Sequence, residues 1–250
     1  MRALWLAVLG VAAYAAFLVG TMPASVLLAR GHGALPAKYE VRGSAGTAWR
    51  GRADVVVSTA GGSLHLEILE WRWLPAALLG GRMAFAIHAR APGLDARYEG
   101  GRSLARWDLR GLEARGSAAS MVALLPWLAP WRPEGDVMVT SPRLDTDGRE
   151  VRGEARLEWR NAAVGLSEVK PLGSYRADIR AEGTTGNVAL TTLQGPLRVT
   201  GQGTLTPPDR LAFTGEARAE GEQARALEPL LNLMGPARPD GARAIAWQVR

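Results

Sequence analysis

Few side chains in this sequence are of a type and spacing that could do chemistry. His32, His65 and His88 are the only imidazoles, and no cysteine is present. A thiol nucleophile, a disulfide framework, a zinc ribbon and an iron–sulfur cluster are excluded together. No histidine has a second histidine or a carboxylate at a ligand spacing such as H-E-x-x-H, so no metal set is assigned. A Ser–His–Asp site needs no sequence proximity, but the G-x-S-x-G elbow that would expose a serine is missing. Asp145, Asp147 and Gly148 match a fragment of a calcium loop without its later ligands, and Asp-Gly between strands is more simply a hairpin turn. Gly201-Gln202-Gly203 has no nearby lysine to hold a phosphate, and Leu205 and Thr206 continue a strand. The expectation is a chain with no catalytic, cofactor-binding or metal-binding residue.

The elements that would carry any site are strands. Arg152, Glu154, Arg156, Glu158 and Arg160 alternate with Val151, Gly153, Ala155, Leu157 and Trp159. This period of two gives one wet face and one buried face. Tyr175 to Glu182 and Phe213 to Glu220 repeat the pattern, and Met83, Phe85 and Ile87 form a further buried row. Such alternation belongs to antiparallel sheets. Turn signals recur at Gly61-Gly62, Pro92-Gly93, Gly100-Gly101, Asp147-Gly148 and Pro207-Pro208. Helical spacing is confined to Ser117–Trp127, Glu222–Met234 and a single turn at Leu74–Leu79. With 30 glycines, an all-helical bundle is disfavoured.

The pieces recur in order. Glu70-Trp71-Arg72, Gly81 and the strand after it correspond to Glu158-Trp159-Arg160, Gly173 and the strand from Ser174. Leu124-Leu125-Pro126 with Pro133-Glu134-Gly135 corresponds to Pro229-Leu230-Leu231 with Pro239-Asp240-Gly241. This predicts an internal duplication with divergent halves, about 36–141 and 142–250. No linker separates them, so the expected fold is mainly β: one elongated, curved antiparallel sheet with two or three short helices.

Ahead of the sheet, Ala3 to Ala29 contains no charged side chain, between Arg2 and Arg30. About 20 apolar residues span a bilayer core as a helix, so residues 1–30 are predicted to be a transmembrane anchor. The competing reading is a cleaved signal peptide, whose best site, after Ala24, places Met22 at the −3 position. A two-residue charged tail suits an orientation with the N-terminus in the cytoplasm, leaving residues 31–250 as a β-rich periplasmic domain.

The net charge is +6, which would suit nucleic acid if it were concentrated. The arginines instead alternate with acids along the wet strand faces, where opposite charges meet across strands, so no nucleic-acid partner is expected. Of nine tryptophans, Trp71, Trp73, Trp107 and Trp159 fall within strand patterns, while Trp127 and Trp131 flank a proline-rich stretch. They are expected to fill the core. The sharper alternative is an apolar edge or groove for a protein or lipid partner.

Several short motifs occur in a characteristic order. They are Leu35-Pro36; Val41-x-Gly43-x-x-Gly46-Thr47-Ala48-Trp49-Arg50-Gly51; Leu69-x-Trp71-x-Trp73-Leu74-Pro75; and Leu78-Leu79-x-Gly81. Further along come Gly153-x-x-x-Leu157-x-Trp159, Leu172-Gly173-x-Tyr175 and Gly195-Pro196-Leu197-x-Val199-x-Gly201-x-Gly203. In these the chain resembles type II secretion system protein N, the general secretion pathway protein N of Gram-negative bacteria. The resemblance implies a single-pass inner-membrane protein with a periplasmic β domain. Its role would be accessory to the apparatus that exports folded proteins across the outer membrane, with other secretion-system proteins as partners. It implies no enzymatic activity and no cofactor. The Gly-Thr-x-Trp-x-Gly element is expected to be a turn between two strands, with Trp49 packed on the sheet. The alternative function is a periplasmic groove that binds or transfers lipid or another amphiphile.

Overall fold

The computed structural model describes residues 14, 17–26, 38–59, 62–123, 125–206, 210–239 and 241–249. Thirteen strands form one antiparallel sheet in which spatial order equals chain order. They are β1 (Lys38–Gly46), β2 (Arg50–Thr59), β3 (Gly62–Trp73), β4 (Met83–Ala91), β5 (Leu94–Arg102), β6 (Trp107–Ser117) and β7 (Pro133–Thr146). The sheet continues through β8 (Val151–Val164), β9 (Gly173–Gly183), β10 (Thr185–Gln194), β11 (Leu197–Thr206), β12 (Arg210–Ala219) and β13 (Arg243–Val249).

The alternating segments fall where the period of two puts them. On β8 and β9, Arg156 faces Asp178, Glu158 faces Arg176 and Glu154 faces Arg180 across the ladder. These pairs close as ion pairs of 2.7, 3.1 and 2.9 Å. Arg160 and Arg176 together hold the Glu158 carboxyl below the ordinary glutamate range, the hydrogen bond from Arg160 being the larger cause. The other face carries Trp159 opposite Tyr175, and Leu157 opposite Ala177.

That apolar face closes on itself in the C-terminal part. Ala162, Leu172, Tyr175, Leu197, Phe213, Ala217 and Ile245 form one buried cluster with Leu227, Leu230 and Leu231. Leu230 and Leu231 belong to the helix α1 (Glu228–Met234). Trp131, just ahead of β7, lies 6.1 Å from Trp247 on β13, centroid to centroid. In a flat sheet β7 and β13 would be about 29 Å apart at about 4.8 Å per strand. The sheet therefore curls around this core. Burial raises the Tyr175 phenol well above its usual pKa, and its hydroxyl donates to Leu197 O at 3.0 Å.

Helical content is smaller than the spacing suggests. Ser117–Trp127 is not one helix: β6 runs to Ser117, followed by two 3-10 segments, Ala118–Ala123 and Pro126–Trp131. Pro126 and Pro130 lack the N–H groups that a continuous α-helix needs. In Glu222–Met234 only the part from Glu228 is helical, with Pro229 in the first turn, where proline is tolerated. Leu74–Leu79 becomes a 3-10 segment, Pro75–Gly80. Gly100-Gly101 is not a turn but the interior of β5. The Arg82 side chain lies against Gly101, where a Cβ would collide with Nε.

Most of the predicted 1–30 anchor, with Pro207-Pro208, lies outside the described residues. Among the described residues no helix is long and apolar enough to cross a membrane. Phe17–Gly20 is helical. The 141/142 boundary falls inside β7, at an irregularity of register between Thr140 and Arg143.

Candidate functional site

The segment Gly46–Gly51 joins β1 to β2, and each residue type in it has a structural reason. Gly46 has φ +92°, and a Cβ there would sit 2.5 Å from Arg50 O. Thr47 Oγ1 accepts the N–H groups of Trp49 and Arg50 at 3.3 and 3.2 Å, which closes the turn. Gly51 leaves room for the Trp71 ring, whose Cζ2 would be 2.5 Å from a Cβ at this position. From there Trp71 Nε1 reaches back to Thr47 O and Ala48 O at 3.2 and 3.1 Å. Trp49 tilts against Trp73 with centroids 4.9 Å apart.

The turn holds a peptide. Trp49 Nε1 donates to Val19 O at 2.7 Å, and Ala48 N–H donates to Met22 O at 2.8 Å. Pro23 forms an isolated bridge with Thr47. Ala24, 2 % exposed, then enters a second buried cluster with Ala53, Val55 and Trp71. Both bonds go to main-chain carbonyls, so the turn fixes the path of the N-terminal segment without reading its side chains. The expectation that Trp49 merely packs on the sheet is thus too small. The signal available was chemical: a half-buried indole N–H needs an acceptor.

Next to this turn, two further connections lie at the same end of the sheet. The 3-10 segment between β3 and β4 exposes Leu78 and Leu79, the latter at 95 %. The tight β5–β6 connection, closed by Ser103 N–H to Arg106 O at 2.9 Å, exposes Leu104 fully. Trp107 is half-exposed under the Arg102 guanidinium, 4.6 Å from its ring, and so departs from the core placement expected of it. Trp71 is buried as expected, and Trp73 and Trp159 are half-buried. Arg82 ties the two connections together: its Nη2 lies 2.6 Å from Asp108 Oδ2, with both side chains nearly buried. Nothing in periodicity announces this pair, because Arg82 precedes its strand and spans Gly101.

The residues singled out for chemistry are apart from one another. His65 Nε2 contacts Asp54 Oδ1 at 2.8 Å, and His88 Nε2 contacts Asp95 Oδ2 at 2.7 Å on a different strand pair. The His88 hydrogen bond holds the Asp95 carboxyl below its ordinary range. His32 lies outside the described residues. Asp147 Oδ1 accepts the N–H groups of Arg149 and Glu150 at 2.9 Å each, and Gly148 has φ +91°, as a hairpin turn requires. Asp145 receives a bidentate Arg143. Gly201 and Gly203 are strand residues of β11 opposite Gly215 and Phe213. Among the described residues no three His, Asp or Glu side chains are grouped to hold a metal ion.

The two edges of the sheet differ. β1 carries Lys38, Glu40 and Arg42 and a register irregularity between Val41 and Gly43, devices that discourage pairing. On β13, Pro236 O accepts Ala244 N–H, covering the first residues of the edge, while Ile245–Val249 carry no charge.

The family model for "Type II secretion system (T2SS), protein N" matches residues 37–246. The chain is also similar to the "Type II secretion system protein N" of Pectobacterium carotovorum subsp. carotovorum. The two are 25% identical over 255 residues, covering 96% of this chain and 94% of that one. No solved structure matches the chain at a significant level. With five-sixths of its length under a single family match, this chain belongs to the type II secretion system protein N family.

Proposed function

We propose that the protein is an accessory, non-enzymatic component of the type II secretion apparatus. An N-terminal helix within residues 1–30 tethers it to the inner membrane, N-terminus in the cytoplasm, and the sheet stands in the periplasm. The observation that carries this reading is the family match over residues 37–246, from ahead of β1 into β13. The uncleaved anchor is supported by the turn at Thr47–Trp49. Cleavage after Ala24 would remove Val19 and Met22, the two residues it binds.

Partner recruitment is assigned to the free edge of β13. The N–H of Ala244 points away from β12 toward Pro236, so by strand alternation Ala246 and Gln248 also present their main-chain groups outward. A partner strand added there gains main-chain hydrogen bonds at no cost to the existing ladder. Tagged full-length chain, cross-linked in membranes of a secreting strain, is expected to recover other secretion components. Ala246→Pro, which removes one outward N–H and leaves the bonds to β12, is expected to lose them while the protein stays folded. Recovery of the wild type only as a free monomer overturns the reading. A second reading, lipid or amphiphile binding, is favoured by the half-buried apolar row Ala155, Ile179 and Val188. Co-purified lipid in a mass spectrum after gentle extraction would select it.

A further inference from the structure

We infer that one end of the sheet lies on the membrane surface: the connections β1–β2, β3–β4 and β5–β6 form a rim whose leucines enter the lipid. The inference rests on the membrane-tethered reading above and adds an orientation to it.

Three observations converge on that rim. The first is where the N-terminal run arrives. Val19 and Met22 are bound by Trp49 and Ala48 at this end, and the apolar side chains Tyr14, Phe17 and Leu18 just before them are more than half exposed. A helix entering the bilayer from here brings the rim within reach of the headgroups.

The second is the shape of the exposed apolar surface. Met83 pairs with Arg102, which pairs with Trp107, so the Leu78–Leu79 and Leu104 connections end at the same level, two strands apart. At about 4.8 Å per strand they are about 10 Å from each other. Leu79 at 95 % and Leu104 at 104 % have essentially no protein contact. The buried Arg82–Asp108 pair across Gly101 makes the two connections one rigid unit. Trp49, Trp73 and Trp107 stand just behind the leucines, the position tryptophans take at the boundary between lipid and water.

The third is charge. Residues 47–50, 74–83 and 103–107 contain no Asp or Glu, while Arg50 and Arg106 lie within them and Arg102 borders the last. This is the complement of an anionic phospholipid surface. The connections at the same end of the C-terminal part are different. β7 to β8 reads Asp147-Gly148-Arg149-Glu150, and β9 to β10 turns at Gly183-Thr184. That half of the rim belongs in water, so the sheet leaves the membrane at a slant.

The absence of cysteine makes the test direct. Full-length single-cysteine variants carrying a polarity-sensitive fluorophore are reconstituted into vesicles of phosphatidylethanolamine and phosphatidylglycerol. Leu79→Cys and Leu104→Cys are expected to give blue-shifted emission that brominated lipid quenches. Thr184→Cys, and Leu166→Cys at a half-exposed leucine of the opposite end, are expected to report water. Leu9→Cys monitors the anchor. If position 9 reports lipid while 79 and 104 report water, the surface contact is wrong and the tether stands. If position 9 reports water, the tether falls, and the rim is judged by 79 and 104 alone. Equal shifts at 166 overturn the inference as non-specific adhesion.

Discussion

The two buried clusters of this sheet are covered in opposite ways. The C-terminal cluster is sealed from within the sheet's own connections, by Leu227, Leu230, Leu231 and Trp131. The N-terminal cluster of Ala53, Val55 and Trp71 takes its cover from Ala24, a residue of the segment ahead of the first strand. Both clusters lie under the same kind of sheet, so the difference is in who supplies the lid. A region that closes itself keeps its stability wherever it is placed. A region closed by the N-terminal segment is coupled to whatever that segment is attached to.

That contrast can be tested in order of expected effect. Leu227→Ala empties a fully buried site and should cost about 3 kcal/mol in urea unfolding. Amide exchange should accelerate in β11–β13 and stay unchanged in β1–β3. Ala24→Arg places a charge with no partner in the smaller cluster, and the segment should detach at a cost of about 2 kcal/mol. Here β1–β3 should exchange faster and β8–β13 should not. Loosening of β8–β13 to the same extent would show that the two clusters share one lid.

The smallest effect concerns the wet face. Glu158 has its carboxyl held down by Arg160 and Arg176, so it stabilises the fold above the ordinary glutamate range. That contribution disappears as pH falls through its lowered value. Glu158→Gln should cost under about 1 kcal/mol at pH 7 and less at pH 3. An equal loss at both pH values would mean that packing, rather than charge, was removed.

Much of this architecture could be read from side-chain alternation. The runs at 151–160 and 174–182 gave β8 and β9 with the correct faces, because a one-residue slip would turn Leu157 and Trp159 into water. Asp147-Gly148 gave its turn because the dipeptide closes a hairpin locally. Signals failed where the deciding contact is distant. Gly100-Gly101 carries the composition of a turn, yet Arg82 requires the space inside a strand. Leu124 and Leu125 have helical spacing, but Pro126 and Pro130 allow only short 3-10 pieces. At the candidate site, the family motif singles out Trp49 but not its acceptor, Val19 O, thirty residues earlier.

Strand order equal to chain order also has a kinetic meaning. Each strand pairs with the one made immediately before it, so loops closed during folding are short and no strand waits for a distant partner. A chain emerging N-terminus first can zip up as it appears, with every newly exposed edge capped by the next arrival. The growing end is always the sticky one, and among the described strands β13 is the one that no later strand covers. Assembly with a partner there would begin only once the twelve strands before it have paired, so β13 offers its edge only when the sheet behind it is in place.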